Sequence, residues 1–487
     1  MDKKEFKFDT YVQVIKYKIL RALITKSYEG TLNDSIYFDI PKAISPGPKA
    51  TMRCCIYKER AIIQERIKIA LGRKETALTD PKEREVIKVI DIACDECSAG
   101  GVMVTPSCRG CITHMCMETC PKKAISIIEK KAVIDKGLCV DCGKCTTVCP
   151  YDAIVIHRRP CVKSCKVGAI SVGEDLKVKI DPKKCISCGA CVYQCPFGAI
   201  TDKSFILDAI DILIGSDHGK NYPVVAMLAP AIASQMQYAT LGQIVTALKE
   251  LGFTSVTEAA MGADIVLSKE IEEWQEKGVL TTSCCPSFVE FIQKTMPTLA
   301  KHISSSPSPM MEAARLIKRE NPNAKVIFIG PCSSKKKEFT AADKADAVDC
   351  VLSFEEILAY FDAFKLDLAN LPESSLDDAS YYGRIFARSG GIAQGIREIT
   401  AAKGIEGVKP VAMNGLEECK KELTMLRVNR SVYNFFEGMA CDGGCLNGAL
   451  CLHHKRGASE IEKYANQASK KTIDANVERA KNSESEE

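Results

Sequence analysis

The chain has 487 residues, 26 of them cysteine, with 66 lysines and arginines against 62 aspartates and glutamates and a net charge of +4. That length supports two to four domains, and the small charge balance argues against a nucleic-acid partner or an anionic membrane surface. No run of 18 apolar residues and no export-type leader is visible, so a cytoplasmic, non-membrane protein is expected, whose cysteines bind metal rather than form disulfides.

Residues 1–90 contain amphipathic stretches that predict helices over Tyr11–Leu23 and Glu59–Leu71, around a Pro/Gly loop, IPKAISPGPKA. Cys54 and Cys55 are adjacent, have no partner at cluster spacing and read as free thiols. No function follows for this region.

Residues 91–205 hold sixteen cysteines and an internal repeat. Cys120, Cys149, Cys165 and Cys195 each open a phrase that ends in Ala-Ile, and each follows another cysteine by four residues: Cys116, Cys145, Cys161 and Cys191. Two copies carry a full Cys-x2-Cys-x2-Cys-x3-Cys-Pro run, Cys139/Cys142/Cys145/Cys149 and Cys185/Cys188/Cys191/Cys195. A third, Cys108/Cys111/Cys116/Cys120, has a longer middle gap. The fourth lacks its first two cysteines, which Cys94 and Cys97 could supply. Three close thiolates suit three corners of a 4Fe–4S cube, with the fourth cysteine pointing to a neighbouring cube.

This half-motif resembles bacterial two-cluster ferredoxins. The resemblance implies one cube on Cys139, Cys142, Cys145 and Cys195 and another on Cys185, Cys188, Cys191 and Cys149. The other eight cysteines would make two more, with their pairing open. Segment 108–120 could instead pair with 139–149, which would reshuffle all four cubes. Structural zinc on Cys94/Cys97 with Cys108/Cys111 is an alternative. His114 and His157 read as solvated or hydrogen-bonded.

Residues 215–455 read as α/β. Pro223–Leu228 and Ala324–Ile329 predict buried parallel strands. Helical periods cover Gln243–Leu251, Glu312–Arg319 and Leu416–Leu426, the last capped by Asn414-Gly415. Three cysteine motifs stand in loops: Thr-Ser-Cys-Cys-Pro at 282–286, Gly-Pro-Cys-Ser-Ser-Lys-Lys-Lys-Glu at 330–338, and Glu-Gly-Met-Ala-Cys-Asp-Gly-Gly-Cys at 437–445. Loops at the carboxyl ends of such strands are where α/β sheets carry their sites. Cys350, Cys419 and Cys451 read as packed or free thiols and His453-His454 as a solvated pair. The tail, 456–487, reads as a solvated helix ending in disorder.

The three motifs in this order, with Met-Gly-Ala-Asp at 261–264 and Ser-Gly-Gly at 389–391, resemble the catalytic domain of iron-only (FeFe) hydrogenases. That implies a two-lobed α/β catalytic domain, with mixed or parallel sheets flanked by helices and the cluster between the lobes, plus α+β ferredoxin-like cluster domains. It implies that Cys285, Cys332, Cys441 and Cys445 hold the cube of an H-cluster, Cys445 also bridging to a diiron subsite with CO, cyanide and a dithiolate amine, beside about four further 4Fe–4S clusters. Cys284 would relay protons, Lys335 would bond a cyanide, Glu338 would orient Lys335 or its loop, and Met439, Ala229 and Pro230 would line the diiron site. The implied proton route runs Glu270, Ser304, Glu273, Cys284. Partners would be dihydrogen and protons, ferredoxin or flavodoxin, and maturation proteins. Gly330, Ser287-Phe288, Ala231 and Met310 depart from the family pattern and imply a divergent branch. A non-catalytic relative and a hydrogen sensor are the rival readings.

Overall fold

The structure, a computed structural model, describes residues 8–72, 85–98, 100–341, 347–454 and 457–485. The N-terminal region forms helices Tyr11–Tyr28, Ile36–Ile44 and Ile56–Ala70. Thr10 and Gln13 cap the first reciprocally, each side chain bonding the other's backbone amide. The predicted Pro/Gly loop is shorter than its composition suggests, because Pro41 lies inside the second helix. A proline there leaves the Tyr37 carbonyl without its helical donor, and Gln64 Nε2 takes that place at 2.8 Å. These helices are not a separate body. Ile15, Ile19, Leu23, Ile63 and Ile67 share one core with Phe354, Leu358 and Phe361 of the C-terminal domain.

The cysteine-rich region is two modules, one inserted in the other. The outer module pairs strand Ile87–Val89 antiparallel with Ile200–Asp202, and Ile170–Val172 with Val178–Ile180. The inner module pairs Gly101–Val104 with Ile154–His157, and Ile125–Ile128 with Lys131–Ile134. The chain therefore enters the outer module with Cys94 and Cys97, leaves to complete the inner one, and returns with Cys161.

The C-terminal domain has two parallel sheets. In the first the order is Ser255–Glu258, Val224–Leu228, Lys325–Gly330, Cys350–Ser353, and in the second Leu280–Thr281, Phe435–Met439, Pro410–Asn414. Helices flank both sheets, and the inner strands of the first, Val224–Leu228 and Lys325–Gly330, are nearly continuous apolar runs, as burial on both faces requires. Helix Ala260–Lys277 crosses Pro309–Glu320 closely enough that a Cβ on Gly262 would stand 2.1 Å from the Pro309 carbonyl oxygen. Only glycine fits there. Asn414 precedes helix Gly415–Arg427, but its side chain does not cap it; it accepts from the Gly443 amide at 2.5 Å instead.

The tail also departs from expectation. Helices Gly457–Asn466 and Asp474–Ser485 pack on the domain rather than standing in solvent. Tyr464 lies over the Arg384 guanidinium, which is paired in the interior with Glu258 at 2.8 Å. Asn476 donates to Asp264 at 2.7 Å, so the aspartate of Met-Gly-Ala-Asp holds the tail and the Ser380 turn. The sequence signal misses this because only one narrow face of each tail helix is apolar. The two final residues lie outside the described residues.

Candidate active site

The three cysteine motifs leave the carboxyl ends of three parallel strands. Leu280–Thr281 runs into Cys284 and Cys285, after which Pro286 opens helix Pro286–Thr295. Lys325–Gly330 runs into Cys332 and helix Ser333–Thr340, and Phe435–Met439 runs into Cys441 and the short turn at Cys445. The four thiols converge between the two sheets. Burial pushes the Cys445 thiol up to about 12, and the next contributions come from Cys332 and Cys285. Cys441 is likewise raised by burial, then by Cys332, Cys285 and Cys445. Groups that repel one another in this way face a common centre, and a soft cationic cluster is what relieves such a set.

Beside them is a cavity of about 690 Å³, lined by Ala229, Pro230, Cys284, Lys335, Met439 and other, mostly apolar, residues. Met439 is 3% exposed and Cys284 9%. Among the described residues, Lys335 is the one cation on its wall. Its Nζ bonds Glu338 at 2.7 Å and the Cys284 carbonyl at 3.4 Å. Burial works against its charge, but Glu338 outweighs it and holds the ammonium above its ordinary value. Ser308 steadies Glu338 from the other side at 3.0 Å.

Behind Cys284 stands Glu270, fully buried, accepting from the Ser283 amide at 3.0 Å. Burial pushes its carboxyl up to about 8, and its Oε2 has no hydrogen-bond partner among the described residues. Ser304 lies beside Glu270 and donates to Glu273 at 2.9 Å. Burial works to raise Glu273, but Lys277 at 2.5 Å and the Ser305 amide hold it below the usual carboxylate range. From cavity to surface the order is Cys284, Glu270, Ser304, Glu273. The sequence-based order, with Glu273 next to Cys284, is corrected: helix Ala260–Lys277 is rotated so that Glu270 lies behind Cys284 and Glu273 at the rim.

The family described as iron only hydrogenase large subunit, C-terminal domain, matches residues 222–449. The chain thus carries a domain of the iron-only hydrogenase type over those residues. A 4Fe-4S dicluster domain matches residues 107–153 and a 4Fe-4S binding domain residues 178–201. Among relatives, the chain is similar to iron hydrogenase 1 of Clostridium pasteurianum, 26% identical over 66% of this chain and 64% of that one. It thus spans under two thirds of that protein's length. It is also similar to the cytosolic Fe-S cluster assembly factor NAR1 of Eremothecium gossypii, 37% identical over 19% of this chain and 20% of that one. A solved FeFe-hydrogenase from Chlamydomonas reinhardtii superposes with a TM-score of 0.46 at 18% identity, over 56% of this chain and 92% of that chain.

The hydrogenase domain carries its departures with local compensation. Gly330 leaves space that the Phe328 ring fills, 2.5 Å from where a Cβ would stand. Ser287 donates to the Ile186 carbonyl at 2.9 Å and so ties the domain to the outer cluster module. Ser333 does the same to Ser187 at 2.7 Å and Lys294 to Cys185 at 2.5 Å. Gly189, at φ +76°, lets the two surfaces meet: a Cβ there would fall 2.5 Å from Ser333 Oγ.

In the cluster modules the structure corrects the implied cysteine pairing. Cys94, Cys97, Cys161 and Cys195 line one cavity. Cys191 faces Cys188, Cys185 and Cys165. In the inner module Cys120, Cys139, Cys142 and Cys145 line one cavity, Cys116 faces Cys111 and Cys149, and Cys108 packs in the same core. So Cys120 rather than Cys195 completes the 139–145 set, and Cys165 rather than Cys149 the 185–191 set. Strand pairing decides this, since Ile87–Val89 with Ile200–Asp202 closes the outer module on itself. The zinc alternative fails with it, because Cys94/Cys97 and Cys108/Cys111 lie in different modules. The Ala of each repeated phrase also gains a reason: its amide bonds the sulfur four residues back, at 3.3 Å to Cys120 and Cys149 and 3.2 Å to Cys165 and Cys195.

Cys54 and Cys55 are exposed; Cys350, Cys419 and Cys451 are buried. His454 is not solvated: it lies 3.7 Å from the Tyr193 ring and 3.0 Å from Asp9. Sequence reasoning passed over Glu437, which is fully buried, accepts from Gly390 and Ala393 at 2.7 and 2.8 Å, and is pushed up to about 7 by burial. Its signal was present in part, since Gly390 of Ser-Gly-Gly supplies one of the amides that hold it. No described helix is long and apolar enough to cross a membrane.

Proposed function

We propose that the chain catalyses the reversible oxidation of dihydrogen to two protons and two electrons. The observation that carries this is the pairing on one cavity wall of a thiol, Cys284, with a buried ammonium, Lys335, beside four converging thiols and in front of Glu270, whose Oε2 is unpartnered. The donor set fits an H-cluster. Cys285, Cys332, Cys441 and Cys445 would hold its cube, Lys335 would meet its anionic ligands, and Ala229, Pro230 and Met439 would exclude water around it. When bound, that cofactor supplies the iron at which dihydrogen is split heterolytically.

The chain's own residues move the products. Cys284 passes a proton to Glu270. A carboxyl near 8 can take it and release it at neutral pH, and Ser304 carries it to Glu273 and the Lys277 rim. Electrons leave by the 165/185/188/191 set, next to Cys285 and Cys441, then the 94/97/161/195 set and the inner module, one at a time. The carrier would be ferredoxin or flavodoxin in the cytoplasm, and maturation proteins would install the diiron part.

A second reading is an iron–sulfur assembly factor or hydrogen sensor of the same fold. The similarity to NAR1 favours the former. Retention of Cys284 and Lys335 on the cavity wall favours the enzyme. An infrared spectrum of anaerobic protein made with the maturation machinery separates them. Bands of iron-bound CO and cyanide that shift under dihydrogen are expected; their absence from protein with full iron and sulfide would leave the assembly reading.

A further inference from the structure

The N-terminal region reaches the 94/97/161/195 site through two arginines. Arg53, whose side chain is 6% exposed, donates to the Phe197 carbonyl at 2.8 Å. Arg66, on helix Ile56–Ala70, donates to the Gly198 carbonyl. Phe197 and Gly198 form the turn between Cys195 and Ala199, the residue whose amide bonds the Cys195 sulfur. A third arginine, Arg159, is 2% exposed and spreads over three carbonyls, at 2.8 Å to Ser98, 2.7 Å to Leu176 and 3.2 Å to Cys97.

These guanidiniums are hydrogen-bonded to carbonyls rather than to carboxylates. Among the described residues, Arg53 has carboxylates within 4 Å, Asp95 at 3.9 Å and Glu96 at 3.7 Å, both more than a third exposed, Arg66 feels Glu355 without a direct ion pair, and Arg53 Nη1 makes no hydrogen bond. Burial pushes Arg66 down to about 10, with Cys195 acting in the opposite sense, so it stays charged at neutral pH. Arg53 is also fixed in advance. Glu59, 1% exposed, accepts from Ser45 Oγ and from the amides of Thr51, Met52 and Arg53, which pins the loop that carries it.

No guanidinium packs on the matching turn after Cys165, whose Lys166 pairs at the surface with Glu417 at 2.5 Å. A Cβ on Gly168 would meet nothing within 4 Å, whereas one on Gly198 would stand 2.2 Å from the Arg66 guanidinium. Around the 165/185/188/191 set Lys294 donates to the Cys185 carbonyl at 2.5 Å but is paired with Glu290 at 2.7 Å, and the near charges include the thiols of Cys285 and Cys441. A 4Fe–4S cube gains a full negative charge on reduction, and its potential follows net charge, hydrogen bonding and burial. Buried cations with little competing water favour the reduced form most.

We propose that Arg53 and Arg66, with Arg159, form an electrostatic collar that raises the reduction potential of the cube on Cys94, Cys97, Cys161 and Cys195 above that of the cube on Cys165, Cys185, Cys188 and Cys191. The N-terminal helices thereby make the outer module's remote cube the place where an electron comes to rest after leaving the hydrogenase domain. The inference needs only 4Fe–4S cubes on these cysteines and does not depend on the diiron chemistry.

The test is a redox titration of the full-length chain, followed by electron paramagnetic resonance, with iron and sulfide measured on each sample. Arg66→Gln and Arg53→Gln are each expected to shift one cluster step negative, so that at its wild-type midpoint the reduced-to-oxidised ratio falls about tenfold, equivalent to about 59 mV for one electron. Arg66→Lys, which keeps the charge, should hold the wild-type step. Cys191→Ser, which removes the neighbouring cube, should leave the shifted step in place. Unchanged steps at full iron content overturn the proposal. Loss of iron in every glutamine variant also overturns it, since the arginines would then only hold the loop.

Discussion

Cys284 and Cys285 are neighbours in the chain, yet they open onto two differently built regions. The proposed proton side, from Cys284 through Glu270 and Ser304 to Glu273, lies in one helix and two loops of the hydrogenase domain, with Glu270 bonded to the Ser283 amide beside Cys284 and Ser304 bonded to Glu273. The electron side, from Cys285 outward, crosses two modules through separate sets of thiols that share no hydrogen bond. A proton moves with an atom and needs a continuous chain of donors and acceptors, whereas an electron needs only nearby centres of suitable potential. The first region is therefore sensitive to rotation of a single helix, the second to the charge around each cube.

Breaking one side and watching the other sharpens that contrast. The largest effect is expected from Cys191→Ser: carrier-coupled oxidation falls to background, while hydrogen–deuterium exchange, which needs no external electron, continues. Cys284→Ala should instead lower exchange and oxidation together, by about 10²–10⁴, with the infrared bands retained. Glu270→Gln should cost about 10² and change the pH profile. Glu270 must be ionised to receive a proton, so wild-type oxidation should rise with pH through about 8, and the variant should lack that rise.

The smallest effect is on stability. Between the ordinary value of 4.5 and the folded value of about 8, the folded protein keeps a proton on Glu270 that the unfolded chain has released. Stability therefore falls as pH rises across that window. Glu270→Gln removes the loss, so its melting temperature should gain on wild type toward pH 8, by about 2 °C for each kcal/mol. A constant difference from pH 5 to pH 8 would show that Glu270 is not held neutral.

Much of this was legible in the sequence, and what was not has physical causes. Thiolate spacing announces itself where three ligands fall within seven residues, so the triplets 139/142/145 and 185/188/191 could be read, while the pairing of Cys94, Cys97, Cys161 and the 108–120 cysteines stayed open. The fourth ligand could not, because Cys165 and Cys195 are assigned by the pairing of strands more than a hundred residues apart. Glu270 and Glu273 were visible as an i, i+3 pair, but which of them faces Cys284 depends on how helix Ala260–Lys277 packs against Pro309–Glu320. The periodicity of the first helices was plain, while Arg53 and Arg66 were ordinary surface residues by every local measure. Their role exists only because the turn at Phe197-Gly198 comes to lie against them.

The nesting of one cluster module inside the other also sets a timetable for biogenesis. Chains emerge N-terminus first, and the inserted module has all of its thiols between Cys108 and Cys149, so it can be loaded while synthesis continues. Within the cluster modules Cys94 and Cys97 emerge earlier and wait longest, since their site closes only when Cys161 and Cys195 have arrived. For that interval two soft ligands stand open to oxidation and to stray single ions. The first ligands made in these modules thus belong to the site that closes last, and a cell short of iron or exposed to oxygen would lose this outer site before the inner ones.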